Sequence, residues 1–243
     1  MGDTFYSIKR FLRVLDGRII PRRKTIVFRG RQLSFVSPYW WNAVSQEVFD
    51  EEIVAYFDAL GDFVPSHILD IGAAEGHFSI AAVSVFAGCS IYAFEPAQRQ
   101  RVILSRNLKL NHVAVQIEPR GLWNASSVLP FRTVGAESSL APASRFQGRL
   151  TFPEMIPVIS LDGWVQEKGI ERLDLIKMDV EGAELEILEG AKAILKRFRP
   201  RLLIQAYHLR EGERTFGRCA ATLEAIGYRV HEFGPGSGLL VAE

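Results

Sequence analysis

The chain has 243 residues, of which 48% are hydrophobic and 23% are charged. This length and apolar content are enough to bury one core, so they exclude an intrinsically disordered protein. Lys and Arg together number 29 against 28 Asp and Glu, and this balance predicts no nucleic-acid partner.

The N-terminal segment departs from this balance, because residues 1–31 hold nine basic residues and two acidic ones. Hydrophobic spacing predicts a helix over 5–19, then a short hairpin over 24–37 and a helix over roughly 44–60. We interpret residues 1–64 as a basic extension packed on the core. Three roles stay open for its basic part: packing on the domain or on a second subunit, contact with an anionic membrane surface, or docking of an anionic carrier or lipid-linked glycan.

Downstream of the extension, short apolar runs alternate with helix-length segments, a pattern typical of a parallel sheet with crossover helices. The glycine-rich turn 234–238 separates the last two runs, which predicts an antiparallel final strand. We therefore expect residues 65–243 to form one doubly wound α/β domain. The predicted core strands lie at 67–71, 90–95, 113–117, 173–179 and 201–205, and the final hairpin pairs 228–233 with 239–242.

Three other segments complete the predicted domain. Leucines at helical spacing predict a single helix over 181–199, which Pro200 ends, and a further helix over 217–227. Residues 130–157 are rich in Ser, Ala, Gly and Pro and lack a long periodic pattern. We expect this stretch to be a loop insertion over the active face.

Neither disulfides nor membrane spans are indicated. Cys89 and Cys219 form no CxxC pair, so no disulfide framework and no thiolate metal site is predicted. The apolar runs are much shorter than the roughly 20 residues that span a bilayer, and the N-terminus lacks a signal-peptide core. We expect a cytoplasmic protein, and its oligomeric state stays open.

The first core strand leads into a turn, Asp70–Gly76, that opens a helix. Glycines in such a turn let a ligand approach the backbone. Glu95 ends the next strand, where an acidic side chain can accept hydrogen bonds from ribose hydroxyls. A dinucleotide would prefer glycine where Ala74 stands, and the acidic turn suits a cation better than a pyrophosphate. The pattern favours S-adenosylmethionine, while an NAD-dependent oxidoreductase stays open as an alternative.

Four strings within residues 66–210 resemble those of FkbM-type methyltransferases. The resemblance implies a class I, Rossmann-like fold of about seven strands. It also implies methyl transfer from S-adenosylmethionine, in this family usually to a hydroxyl oxygen of a sugar or natural product. The strings are Ile68–Ser79, Ala93–Pro96, Asn107–Asn111 and Ile176–Glu184, the last being the most specific.

The resemblance further implies roles for individual residues. The turn would hold the methionine part of the cofactor, the end of the next strand its ribose, and the corner Asp179–Gly182 would form the active face. We assign Glu181 and Ser139 to binding of the small-molecule or glycan acceptor. The implied cofactor-binding residues are Asp70, Gly72, Ala73, Glu75, Gly76, Glu95 and Pro96.

A base is needed to remove the proton of an alcohol acceptor. His208 is our first candidate, because imidazole titrates near neutrality and the carboxyl end of a strand is where ligands bind in such sheets. Asp179 is the second, as base, as orienter of His208 or as a ligand contact. Many family members carry an acidic residue followed by x-His here, whereas this chain has Gln205, so a non-catalytic protein of the same fold stays open.

No metal is predicted. The five histidines form no HxH or HExxH pattern, a spacing that metalloenzymes often use. The alternative is that Asp179, Glu181 and His208 converge in space around a divalent ion.

Overall fold

The computed structural model describes residues 22–37, 49–134, 137–139 and 154–243. The predicted helix over 5–19 and the start of the helix over 44–60 lie outside these ranges. The first half contains β1 (Arg22–Phe28), β2 (Arg31–Ser37), π-helical turns (Phe49–Val54) that continue as α1 (Ala55–Leu60), β3 (His67–Ile71), α2 (His77–Val85), β4 (Ser90–Phe94), α3 (Gln98–Leu110) and β5 (Gln116–Glu118). The second half contains β6 (Gly121–Trp123), β7 (Ser127–Val134), β8 (Glu137–Ser139), β9 (Glu154–Ser160), α4 (Leu161–Lys168), β10 (Leu175–Met178), α5 (Glu184–Glu189), α6 (Lys192–Phe198), β11 (Arg201–Gln205), β12 (Leu209–Arg210), β13 (Glu213–Arg214), α7 (Phe216–Glu224), β14 (Val230–Glu232) and β15 (Leu239–Ala242).

A seven-stranded sheet forms the centre of the fold, in the order β14-β15-β11-β10-β3-β4-β5. Strand β15 runs antiparallel to both of its neighbours, and the other pairs are parallel. This confirms the predicted Rossmann-like α/β fold with an antiparallel last strand. The chain reverses direction along the sheet at β3, whose carboxyl end borders that of β10, and this switch point is where such sheets bind ligands.

Helices cover both faces of the sheet and bury its apolar strands. One face packs against α1, α2, α3 and the hairpin β1–β2. The other packs against α4 to α7, around the fully buried Trp164. Among the described residues, none of the helices is both long and apolar enough to cross a bilayer.

The predicted helix over 181–199 is wrong in its continuity, because the structure has two helices there, α5 and α6. Gly190 ends the first helix where a side chain would overlap the carbonyl oxygen of Trp123. The carboxylate of Asp162 then accepts hydrogen bonds from the backbone N–H groups of Ala193 and Ile194, at 3.0 and 2.9 Å. A carboxylate from α4 thus accepts hydrogen bonds from N–H groups in the first turn of α6, which the break leaves without partners inside the helix.

The N-terminal hairpin β1–β2 is docked on α3 by two asparagines. Asn107 accepts a hydrogen bond from the Val36 N–H at 2.7 Å and donates to the Val36 carbonyl at 3.2 Å. Asn111 makes the equivalent pair with Ser34, at 2.8 and 2.6 Å. Two amide side chains one helical turn apart thereby bond the backbone N–H and C=O groups of β2, as a neighbouring strand would. This explains the spacing Asn107–Asn111, to which the sequence alone gave no role.

A second sheet flanks the main one, in the order β6-β9-β7-β8. The stretch 130–157, expected to be a loop insertion, forms strands at both of its ends, where β7 and β9 pair antiparallel. These strands escaped the sequence analysis because β7 is mostly exposed between Ser127 and Pro130 and shows no apolar alternation. Residues 140–153 lie outside the described part.

Candidate active site

The turn after β3 brings two strand ends into direct contact. The N–H groups of Gly72 and Ala73 both donate to the carbonyl oxygen of Phe94, each at 3.0 Å. Gly72 has φ +77°, and a Cβ there would overlap the carbonyl oxygen of Asp179. Glycine at this position therefore lets the β10 corner approach β3, and any side chain would displace Asp179 before it touched a ligand.

Ala74 occupies the left-handed backbone region that glycine favours, with φ +46°. The turn therefore keeps a glycine-like conformation although the sequence places alanine there. Its N–H donates to Oε2 of Glu95, and the N–H of Ala97 donates to Oε1, both at 2.8 Å. Burial outweighs these bonds and raises the pKa of Glu95 to about 7, so this carboxyl group titrates near neutrality.

A pocket opens at the carboxyl ends of β3, β4 and β10. Of the residues predicted to bind cofactor, Gly72, Glu95 and Pro96 line it. Asp179 and Glu181 line the same pocket, so the structure brings three predicted cofactor residues together with one candidate base and one predicted acceptor residue. Apolar walls complete the lining with Ile71, Phe94, Leu122, Phe131, Val180 and Ile187.

Gln100 is a pocket residue that the sequence analysis missed. It lies on α3 and is 3% exposed, and its Oε1 has no hydrogen-bond partner among the described residues. A buried amide oxygen without a partner is costly, so a ligand that donates a hydrogen bond would be stabilised here. A single Gln among the polar residues of a helix gives no signal of this in the sequence.

Asp70 lies beneath the turn and is absent from the pocket lining. Its carboxylate is fully buried, pairs with the Lys177 ammonium at 3.1 Å and accepts from the Ser79 hydroxyl at 2.6 Å. Lys177 also donates to the Gly72 carbonyl oxygen at 3.0 Å. This ion pair supports the turn from below, and the lysine in the middle of the apolar strand β10 was the signal that a buried acid must face it.

Three other predicted turn residues also lie outside the pocket lining. Glu75 accepts a hydrogen bond from the Ser37 hydroxyl at 2.8 Å, and burial raises the pKa of its carboxyl group to about 7. A Cβ on Gly76 would crowd the side chain of Leu104. Ala73 is buried. Their side chains or backbones thus serve the packing of the turn against α3 and the hairpin.

His208 lies at the centre of an acidic cluster and is 3% exposed. Its Nδ1 is 2.7 Å from Oε1 of Glu184, and its Nε2 is 3.3 Å from Oε2 of Glu181. One carboxylate oxygen from Asp179, one from Glu181 and one ring nitrogen of His208 all lie within 4.8 Å of one another. Burial by itself lowers the pKa of His208, but the neighbouring carboxylates outweigh it and raise the pKa to about 9.

The corner after β10 aims Glu181 at this cluster. Glu181 has φ +56°, a left-handed conformation that is unfavourable for residues other than Gly, Asn and Asp, and Gly182 follows with φ +101°. The Gly182 N–H donates to Oε1 of Glu184 at 2.9 Å. Glu184 is fully buried, and the sequence analysis gave it no role although it belongs to the string Ile176–Glu184.

The helix before β3 also contributes to the site. Desolvation of its carboxyl group and the negative charge of Asp179 raise the pKa of Glu52. Burial and the same aspartate raise the pKa of the Tyr56 phenol. Ser139, predicted to contact the acceptor, ends β8, but its side chain lies outside the described part of the structure.

A family model for the FkbM methyltransferase domain matches residues 70–230. The chain is 34% identical over 153 residues to the methyltransferase sdnD of Sordaria araneosa, covering 51% of this chain and 59% of that protein. It is 42% identical over 55 residues to the 2-O-methyltransferase NoeI of Sinorhizobium fredii, covering 23% of this chain and 21% of that protein. The chain thus spans less than two thirds of the length of these curated relatives.

Two solved structures share the fold. One is the FkbM methyltransferase of Methylobacillus flagellatus, with a TM-score of 0.51 and 20% identity, covering 73% of this chain and 43% of that one. The other is fibrillarin from Aeropyrum pernix with natively bound S-adenosylmethionine, with a TM-score of 0.50 and 14% identity, covering 95% of this chain and 85% of that one.

Proposed function

Since the chain belongs to the FkbM methyltransferase family, we propose that it transfers a methyl group from S-adenosylmethionine to a hydroxyl of a sugar, glycan or glycosylated natural product. One observation carries the choice of cofactor. The pocket is lined by three carboxylates, those of Glu95, Asp179 and Glu181, and by no lysine or arginine among the described residues. Such a lining attracts a ligand that carries ammonium and sulfonium charges.

The same lining disfavours a nicotinamide dinucleotide. A pyrophosphate binds where backbone N–H groups or basic side chains are available. In this turn the Gly72, Ala73 and Ala74 N–H groups already donate to protein oxygens. The three pocket carboxylates would also repel a pyrophosphate.

The residues present fit S-adenosylmethionine in their hydrogen-bonding capacity. We assign Glu95, which lines the pocket, to accept hydrogen bonds from the ribose hydroxyls, and Gln100 Oε1 offers an acceptor that no described residue satisfies. Asp179 Oδ1 is likewise buried without a hydrogen-bond partner there. The apolar walls suit the adenine ring.

The acceptor belongs at the end of the pocket that Asp179 and Glu181 form. Bound S-adenosylmethionine would supply an electrophilic methyl group, whose transfer to the acceptor oxygen would break the carbon–sulfur bond and leave its electron pair on sulfur. The protein must align the acceptor and take its proton. We assign proton removal to Asp179, because flanking carboxylates keep His208 protonated at neutral pH; His208 then orients the carboxylates. The similarity to a 2-O-methyltransferase supports oxygen as the methylated atom.

Calorimetric titration tests the cofactor. We expect the purified protein to bind S-adenosylmethionine and S-adenosylhomocysteine, and to bind NAD at least tenfold more weakly. Glu95→Gln and Gln100→Ala should each weaken cofactor binding about tenfold, since each removes a ligand-directed hydrogen bond. Glu224→Gln removes the same charge from an exposed site and should leave the affinity unchanged.

Turnover on a panel of sugars and glycosides tests the reaction. Asp179→Asn should lower kcat far more than it weakens cofactor binding, because the amide cannot accept the proton but keeps an oxygen that accepts a hydrogen bond. Cofactor binding by a folded protein with no turnover on any hydroxyl acceptor would favour the non-catalytic alternative. Absence of cofactor binding would contradict the proposal itself. The cytoplasmic location and the three roles of residues 1–31 stay predictions.

A further inference from the structure

We propose that Asp179, Glu181 and His208 bind a divalent cation of the Mg²⁺ or Mn²⁺ class beside the pocket. The sequence analysis predicted no metal because short histidine motifs are missing, and it kept the convergence of these three residues as the alternative. Here two ligands follow β10 and the third follows the neighbouring strand β11, so only the fold brings them together. The binding is inferred from the geometry, charge and ligand chemistry of these residues; the role given to the cation rests on the proposed function.

The distances suit a single ion. The three donor atoms lie within 4.8 Å of one another. Ligands of an octahedral cation at about 2.1–2.3 Å are separated by roughly 3.0–4.6 Å, so a small contraction completes the arrangement. Because the ligands follow rigid, paired strands, the site is largely formed before the ion arrives.

His208 has the orientation of a metal ligand. Its ring is held through Nδ1 by the buried carboxylate of Glu184 at 2.7 Å. Its Nε2 is buried, makes no hydrogen bond to the described residues and lies 3.3 Å from Oε2 of Glu181. A carboxylate on one imidazole nitrogen that fixes the other toward a cation is the usual outer-shell arrangement of metal-binding histidines.

The local charge also calls for a cation. Three carboxylates, from Asp179, Glu181 and Glu184, surround one imidazole. The nearby ammonium of Lys177 is engaged by Asp70 at 3.1 Å and by the Gly72 carbonyl at 3.0 Å. A divalent ion that displaces the Nε2 proton adds two positive charges and removes one, so it would reduce the net negative charge of the cluster.

The ligand chemistry indicates which ion binds. Two carboxylates suit Mg²⁺ and Mn²⁺, and one imidazole favours Mn²⁺ over Mg²⁺. With three protein ligands, coordination positions remain for water or an acceptor hydroxyl. An acceptor hydroxyl on the ion would lose its proton more readily and be held in line with the methyl group.

The test measures binding of Mn²⁺ to chelator-treated protein, with free Mn²⁺ followed by electron paramagnetic resonance and Mg²⁺ as competitor. We expect one Mn²⁺ per chain. Glu181→Gln and Asp179→Asn should each weaken binding at least tenfold. Glu189→Gln, an exposed acid on α5, is the matched control and should bind as the wild type does. Glu181, whose side chain is 25% exposed, is the ligand least needed for folding, and thermal unfolding verifies each variant.

Parallel titration with S-adenosylmethionine separates this inference from the proposed function. Cofactor binding without stoichiometric Mn²⁺ binding, or Mn²⁺ binding that both substitutions leave intact, would overturn the metal site alone. Mn²⁺ binding that the two substitutions abolish supports the site, even if the cofactor assignment then fails.

Discussion

Glu75 and Glu95 are two buried carboxyl groups on opposite sides of one turn. Both have a pKa raised to about 7 by burial. Glu95 lines the pocket, whereas Glu75 faces the hairpin through Ser37. The two carboxyl groups therefore have similar pKa values but different contacts. Only the structure shows which of them faces a ligand and which supports the fold.

Glu75 should make the stability of the protein depend on pH. Its folded pKa of about 7 lies above the ordinary value of 4.5, so the folded state binds more protons and stability falls as pH rises from 4.5 to 7. Glu75→Gln should therefore gain stability relative to the wild type between pH 5 and 8, by up to about 3 kcal/mol. Urea unfolding across this range measures the difference. A difference in the free energy of unfolding between the two proteins that stays constant from pH 5 to 8 would contradict the prediction. Glu224→Gln is the exposed control.

Glu181 is expected to lower the free energy of unfolding through its backbone conformation. Its left-handed backbone with φ +56° is unfavourable by about 1 kcal/mol or more for most residues and is tolerated by asparagine. Glu181→Asn should leave the free energy of unfolding unchanged or raise it by up to about 1 kcal/mol. Chemical denaturation checks this, with Glu189→Asn as the helical control. A clear loss of stability would mean that the Glu181 carboxylate supports the fold through His208.

At the scale of elements, Asp162 links α4 to α6. Because its carboxylate satisfies two N–H groups in the first turn of α6, Asp162→Ala should lower the free energy of unfolding by about 1–2 kcal/mol. Asp162→Asn keeps an acceptor oxygen and should recover part of the loss. Denaturation of the three proteins measures both effects, and equal stability of the alanine and wild-type proteins would argue against this role.

The sequence analysis predicted the elements whose hydrophobic or glycine pattern lies within the element itself. Apolar runs predicted the parallel strands, and Gly234–Gly238 predicted the final hairpin. It could not show the break at Gly190, whose cause is the carbonyl oxygen of Trp123 from a distant strand. Nor could it show that Asp70 turns to Lys177 or that Glu184 holds His208, because both pairings depend on which strands are neighbours.

At the scale of the whole molecule, the hairpin β1–β2 is part of the core rather than an appendage. Its buried side chains join the cluster on one face of the sheet, among them Ile26, Phe28, Leu33 and Phe35. Asn107 bonds both Val36 and the carbonyl oxygen of Glu75, the latter at 2.9 Å. One fully buried side chain thus connects the hairpin, α3 and the turn beside the pocket.

Asn107→Ala should therefore destabilise the whole protein. The substitution leaves several buried backbone groups without partners, so we expect a loss of about 3 kcal/mol. Asn111→Ala affects a partly exposed pair and should cost about 1 kcal/mol. Urea unfolding followed by tryptophan fluorescence compares them, and a smaller effect for Asn107 than for Asn111 would contradict the assignment.

The docking of the hairpin has a consequence for how this region can change during evolution. In residues 34 and 36, Asn107 and Asn111 bond main-chain atoms and no side chain, and every amino acid except proline presents these atoms in the same way. Substitutions at those two positions therefore leave the asparagine bonds intact. A hairpin from a divergent relative could be grafted in their place, provided that its inward side chains fill the same apolar space.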